Sequence, residues 1–147
     1  MNEKTLQLHQ PSVLLQELSR ADHLFSTRLE AALDANGLSI AKFGVLKELV
    51  QASEPIPLGQ LAERLTCVKS NITQLVDRLE ADGLVKRLPD SEDRRSKRAA
   101  ITEEGLRRYE IGIKVAVGVE QDLLRNLSPE EQGVLTSVLR KMSSERG

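Results

Sequence analysis

Six residues between positions 69 and 78 carry chemistry of one kind: Lys69, Ser70, Asn71, Thr73, Gln74 and Arg78. The carboxamides of Asn71 and Gln74 pair a donor with an acceptor, which suits an adenine edge, while Lys69 and Arg78 suit guanine or phosphate. Ser70 and Thr73 add short hydroxyls able to meet base edges and phosphate oxygens. Further along, Asp93 precedes Arg94, Arg95, Lys97 and Arg98, four cations within five residues. No nucleophile–base pair, carboxylate dyad or glycine-rich phosphate loop accompanies them, so an enzyme is not expected. His9, His23 and Cys67 are too scattered for a metal site, and no cofactor is expected.

The neighbouring residues say how these groups are held. Ile72, Leu75, Val76 and Leu79 recur at the spacing that buries one stripe of a helix, here from Lys69 to Asp82. The six polar residues fall off that stripe and face outward. Asp77 also faces outward, where a carboxylate would be repelled by phosphate, so it is expected to hold a nearby cation instead. Gly83 is the helix stop, since a left-handed backbone costs glycine nothing sterically. Leu84–Leu88 then reads as a strand, Pro89-Asp90-Ser91 as a turn and Ala99-Ala100-Ile101 as the return strand. The result is a hairpin with its cations at or beside the tip. Upstream, Leu58–Leu65 is a short helix burying Leu58, Leu61, Ala62 and Leu65, joined to the outward-facing helix by Thr66-Cys67-Val68. Helix, short turn, helix, then a cationic hairpin is the layout of a winged helix-turn-helix on DNA.

The residues Leu61-Ala62-Glu63-Arg64-Leu65, Thr73, Val76-Asp77-Arg78-Leu79-Glu80, Gly83-Leu84-Val85, Arg87, Asp93-Arg94-Arg95 and Ile101-Thr102-Glu103-Glu104-Gly105 resemble the MarR family of bacterial transcription regulators. The resemblance implies a homodimeric regulator of double-stranded DNA, commonly a repressor on a pseudo-palindromic operator, released by a small aromatic acid. It also implies that Arg95 reaches into the minor groove, with Asp93 holding it by a charge-assisted hydrogen bond. Physics agrees, because narrow A·T-rich minor grooves attract arginine. Arg94 and Lys97 would meet phosphates. The sequence departs from the family pattern at Val68, where a Ser or Thr cap is usual, and at Pro57 and Gly59, which blur the start of the short helix.

The fold expected is mainly α with a small β-wing: a winged helix-turn-helix core with long N- and C-terminal dimerisation helices. Residues 1–10 are a loose tail; 11–37 and 103–147 form the dimerisation region; 38–102 form the DNA-binding region. Ser12 opens the first helix, with Leu14, Leu15, Leu18, Ala21, Leu24, Phe25, Leu29, Ala32 and Leu33 in helical spacing up to an Asn36-Gly37 stop. Ser39 caps the next, whose buried side is Ile40, Phe43, Leu46, Leu49 and Val50. Ile56 between two prolines suits an edge strand at the hairpin's base. Thr102 begins a helix striped by Leu106, Tyr109, Ile113, Val117, Leu123 and Leu124, with Glu103 and Glu104 against its N-terminal dipole. Ser128-Pro129-Glu130-Glu131 announces the last helix, whose apolar face is Val134, Leu135, Val138, Leu139 and Met142. Packing of the terminal helices into a monomeric bundle is the alternative to a dimer.

The net charge of −1 does not itself suggest nucleic acid, but its distribution does: residues 69–98 carry +2 and the remainder −3. Aromatics make up 2% of the chain, too few for stacking platforms on single strands. No apolar run suits a membrane span, no leader-like apolar core opens the chain, and one cysteine cannot pair internally. A cytoplasmic protein is expected. Arg20, His23 and Phe43 are candidates for the effector pocket, one cation and an apolar wall for a small carboxylate. Two other readings stay open: a winged helix that binds proteins instead of DNA, and a thiol-responsive regulator switched through Cys67.

Overall fold

The computed structural model describes residues 12–65, 69–90 and 96–144. Cys67, Asp93, Arg94 and Arg95 lie outside the described residues, as do the tail at 1–10 and Val68. The elements are α1 (Val13–Asp34), α2 (Ile40–Ala52), β1 (Ile56–Pro57), α3 (Leu58–Arg64), α4 (Lys69–Ala81), β2 (Val85–Pro89), β3 (Lys97–Ile101), α5 (Glu103–Leu124) and α6 (Pro129–Ser143). The strands form one antiparallel sheet in the order β1-β3-β2. This is the expected class, mainly α with a small β-wing. No described helix is long and apolar enough to cross a membrane.

The chain divides into two compact units, residues 28–116 and residues 1–27 with 117–147. The first holds the core. Ile72, Val76 and Leu79 of α4 are fully buried, as their spacing predicts, with Leu58, Leu61 and Ala62 of α3, Ile56 of β1 and Val85 of β2. Leu33, Val45, Leu46 and Leu49 complete it from α1 and α2. Ile56 pairs with Ala99, and Val85, Arg87 and Pro89 pair with Ile101, Ala99 and Lys97. The short β1 is an edge strand, as Pro55-Ile56-Pro57 suggests.

Most helix ends follow from capping chemistry at the expected residues. The Ser12 and Ser39 hydroxyls accept from the amides of Leu15 and Lys42. Ser128 and Glu131 form a reciprocal capping box. Gly83 takes φ +76°, the Leu84 amide returns to the Leu79 carbonyl and the Gly83 amide to that of Glu80. This paired-bond stop satisfies the last carbonyls of α4 and fixes where the chain turns into β2. Gly37 stops α1 the same way.

Four expectations shift. Ile40 is 38% exposed instead of buried, and Val45 takes the inner position. Ile40 opens α2, and helical side chains lean toward the N-terminus, so it points past the packed part of the helix. Leu65 follows α3 as its half-buried C-cap residue. Pro89 belongs to β2, not the turn. There its missing N–H faces away from β3, where the ladder needs no donor. On α5 the single expected stripe splits: Tyr109 packs on the core, whereas Leu106, Ile113 and Val117 are exposed. The cause is Gly105 and Gly112. A Cβ at Gly105 would overlap the Leu84 carbonyl oxygen, and one at Gly112 would lie 2.6 Å from the Phe43 ring. These close approaches turn the glycine side of α5 inward.

In the second unit the apolar face of α6 stays exposed, Val134 by 64% and Val138 by 45%. Val13, Leu14 and Leu15 are exposed as well.

Candidate nucleic-acid interface

α4 has the division of labour that its sequence demands. With Ile72, Val76 and Leu79 sealed inside, Ser70, Asn71, Thr73, Gln74 and Arg78 are all exposed. The backbone of Lys69 opens the helix. The solvent face thus offers two carboxamides, two hydroxyls and a guanidinium over about two and a half turns. Such a surface can read base edges and grip phosphates.

Its position is fixed by an arginine whose role the sequence leaves unassigned. Arg87 of β2 pairs with Asp77 and, at 3.3 Å, with Glu80. Its Nη2 also donates to the Thr73 carbonyl at 3.2 Å, and its backbone amide donates to Glu80 at 2.9 Å. One side chain therefore fastens the first wing strand along about two turns of α4. The outward carboxylate of Asp77 calls for a cation partner, and Arg87 is that cation. At the other end of α4, Asp82 accepts from Lys42 Nζ at 2.9 Å, tying the helix to α2.

The hairpin closes with the Asp90 amide donating to the Ser96 carbonyl. Lys97 is exposed on the last rung, opposite Pro89. Arg98 is half-buried: Nη2 donates to the Pro89 carbonyl at 3.3 Å, and its Nε is buried without a described partner. Arg98 therefore braces the hairpin, leaving Lys97 as the outward cation of the described strand.

The three pocket candidates do not share a unit. Arg20 and His23 are exposed on α1 in the unit of residues 1–27 and 117–147, and Arg20 lies 3.8 Å from Glu17 on its own helix. Phe43 belongs to the unit of residues 28–116, where its ring stacks on Tyr109 at 5.4 Å and covers Gly112. At the start of α5, the Thr102 hydroxyl accepts from Gly105 at 3.0 Å and donates to the Gly83 carbonyl at 2.7 Å. One turn on, the Arg107 guanidinium hydrogen-bonded to Glu104 holds that carboxyl below its usual range, with Arg108 adding to the effect.

Comparison with known proteins places this geometry. The MarR family model matches residues 38–97, from the start of α2 through the hairpin to β3. An uncharacterised HTH-type transcriptional regulator of Bacillus subtilis, YkoM, is 32% identical over 72% of this chain and 68% of its own length. The chain belongs to the MarR family. The HTH-type transcriptional regulator PecS of Dickeya dadantii is 29% identical over 90% of this chain and 81% of its own. Among solved structures, a mutant form of Escherichia coli MarR complexed with operator DNA superposes with a TM-score of 0.78 at 24% identity. That match covers 89% of this chain and 94% of the other. The protein is a MarR-type transcriptional regulator with a winged-helix fold, and its relatives are named as regulators, not enzymes.

Proposed function

We propose that the protein is a homodimeric repressor that binds a pseudo-palindromic double-stranded operator and leaves it when a small ligand binds. The observation that carries this reading is the solvent face of α4, with Ser70, Asn71, Thr73, Gln74 and Arg78 exposed on a helix whose other side is fully buried. Asn71 and Gln74 read bases, Lys69 and Arg78 meet guanine or phosphate, and Lys97 meets phosphate beside α4. Arg94 and Arg95, with Asp93 as brace, complete the wing contact. The operator complex of the E. coli relative supports the same assignment by likeness of fold.

Residues 38–102 serve as the DNA-binding region and residues 11–37 with 103–147 as the dimerisation region. Dimerisation is supported by the exposed apolar faces of α6 and of the first turn of α1, which a single chain leaves in water. Two-fold symmetry then presents two α4 helices to major grooves about one helical turn apart, roughly 34–36 Å.

Fluorescence anisotropy tests the reading, using the duplex upstream of the protein's own gene against a scrambled duplex across several salt concentrations. The expected outcome is preference for the native duplex by about a thousandfold or more, reduced in Gln74→Ala. Equal, weak, steeply salt-dependent binding to both duplexes would leave only backbone contact. Binding to neither would favour a protein-binding winged helix.

A further inference from the structure

Consecutive residues of a strand point to opposite faces of the sheet, and β3 opens with two cations in succession, Lys97 and Arg98. The register assigns each a face. Lys97 stands opposite Pro89, on the face of the Arg87–Ala99 rung, from which Arg87 reaches α4. Arg98 stands opposite Leu88, on the face of the Lys86–Ala100 rung, turned away from α4. The free chain leaves Arg98 poorly partnered. Its Nη2 donates to one neutral acceptor, the Pro89 carbonyl at 3.3 Å, and Nε is buried with no acceptor among the described residues. No described carboxylate pairs with this guanidinium, whereas Arg87 on the facing strand holds two.

We propose that Arg98 exchanges the Pro89 carbonyl for a DNA phosphate when the wing meets a duplex, so that Lys97 and Arg98 grip opposite walls of the minor groove. This inference rests on the regulator reading above. A phosphate oxygen carries the charge that a peptide carbonyl lacks, and charge-assisted hydrogen bonds are about twice as strong as neutral ones. A donor buried without an acceptor is a standing cost to the free chain, and turning the guanidinium outward removes it. The bond to Pro89 lies at the surface, so water takes the carbonyl that Arg98 leaves.

The minor groove is about 6 Å wide and bounded on each side by the phosphates of one strand. A hairpin tip entering it has anions on both faces, and the alternation of β3 supplies one cation for each. Arg98 lies two residues past Ser96, whose carbonyl accepts the closing bond of the hairpin. That is about 7 Å along the strand, within the length of an extended arginine. Bracing and gripping exclude each other, because one guanidinium cannot close on Pro89 and turn out to the duplex at once. Phosphate contacts set orientation, not sequence. Two anchors on opposite strands therefore fix how the wing is rolled over the groove.

The test uses the full chain and the native duplex in anisotropy, with Arg98→Gln, Arg98→Lys and Lys97→Gln as variants. Glutamine keeps a neutral donor for the Pro89 carbonyl and removes the charge. The slope of log affinity against log salt should fall by about 0.9 per bound chain in Arg98→Gln and stay at the wild-type value in Arg98→Lys. A residue that only braces would lower the thermal midpoint of the free chain and leave that slope alone. Single methylphosphonates, each deleting one phosphate charge, then locate the contacts. One such position beside the minor groove should weaken wild type at least about fivefold more than Arg98→Gln. Lys97→Gln should lose its sensitivity to a position on the opposite strand. An unchanged slope in Arg98→Gln would overturn the exchange, as would an equal loss in Arg98→Lys. Coupling of both cations to one strand would overturn the two-walled grip. Wild type that binds no duplex at any salt would remove the regulator reading and this proposal together, whereas duplex binding indifferent to Arg98 removes this proposal alone.

Discussion

Arg87 meets three acceptors on one helix, Asp77, Glu80 and the Thr73 carbonyl. Each exposed ion pair alone contributes little, but the shared guanidinium has already lost its freedom to the first contact. Arg87→Ala is expected to cost about 1–2 kcal/mol in urea unfolding and to weaken duplex binding. Arg87→Lys should recover only part, because an ammonium lacks the planar fork. Glycines make a sharper contrast. At Gly59 an added Cβ meets nothing within 4 Å, so Gly59→Ala should stabilise α3 by about 0.5–1 kcal/mol. At Gly105 the same methyl meets backbone, so Gly105→Ala should destabilise by about 1–3 kcal/mol. Thermal unfolding distinguishes the two signs. Asp77 shows how far residue types can be read in advance. A carboxylate on the polar face of α4 announces a cation, but only the folded hairpin decides which cation arrives.

Among the elements, the most legible features are those set by fixed local spacing. Ser39, Gly83 and the Ser128–Glu131 box each act on backbone groups within one turn, so a few residues suffice to specify them. The buried stripe of α4 is equally legible, because Ile72, Val76 and Leu79 admit one inward face. α5 is not. It carries apolar residues on two sides, and the choice of Tyr109 over Leu106 and Ile113 depends on the fit of Gly105 and Gly112 to Leu84 and Phe43. Thr102 joins two elements through a single hydroxyl, capping α5 while holding the carbonyl that ends α4. Thr102→Val should lose about 1–2 kcal/mol in denaturant unfolding, and Thr102→Ser should lose less. Because that oxygen couples the helix stop to α5, the valine variant should also weaken duplex binding beyond its effect on stability.

For the whole molecule, the exposed valines and leucines of α6 are the main anomaly in an otherwise conventional surface. Their helical spacing is plain from the sequence, but what covers them is not; in the proposed dimer it is the second chain. Val138 is exposed, so Val138→Asp should leave the fold of each chain intact. Sedimentation should show a monomer, and duplex affinity should fall by more than about tenfold, since two half-sites are no longer engaged together. The small sheet meets other molecules quite differently. Its outer strand β1 is two residues long and ends in Pro57, which has no amide to offer. On the opposite strand the outward amide of Arg87 is already bonded to Glu80, and Pro89 again lacks one. Both margins of the sheet are thus poor templates for a further strand. A crowded solution of this protein therefore has little opportunity to zip hairpins together into fibres.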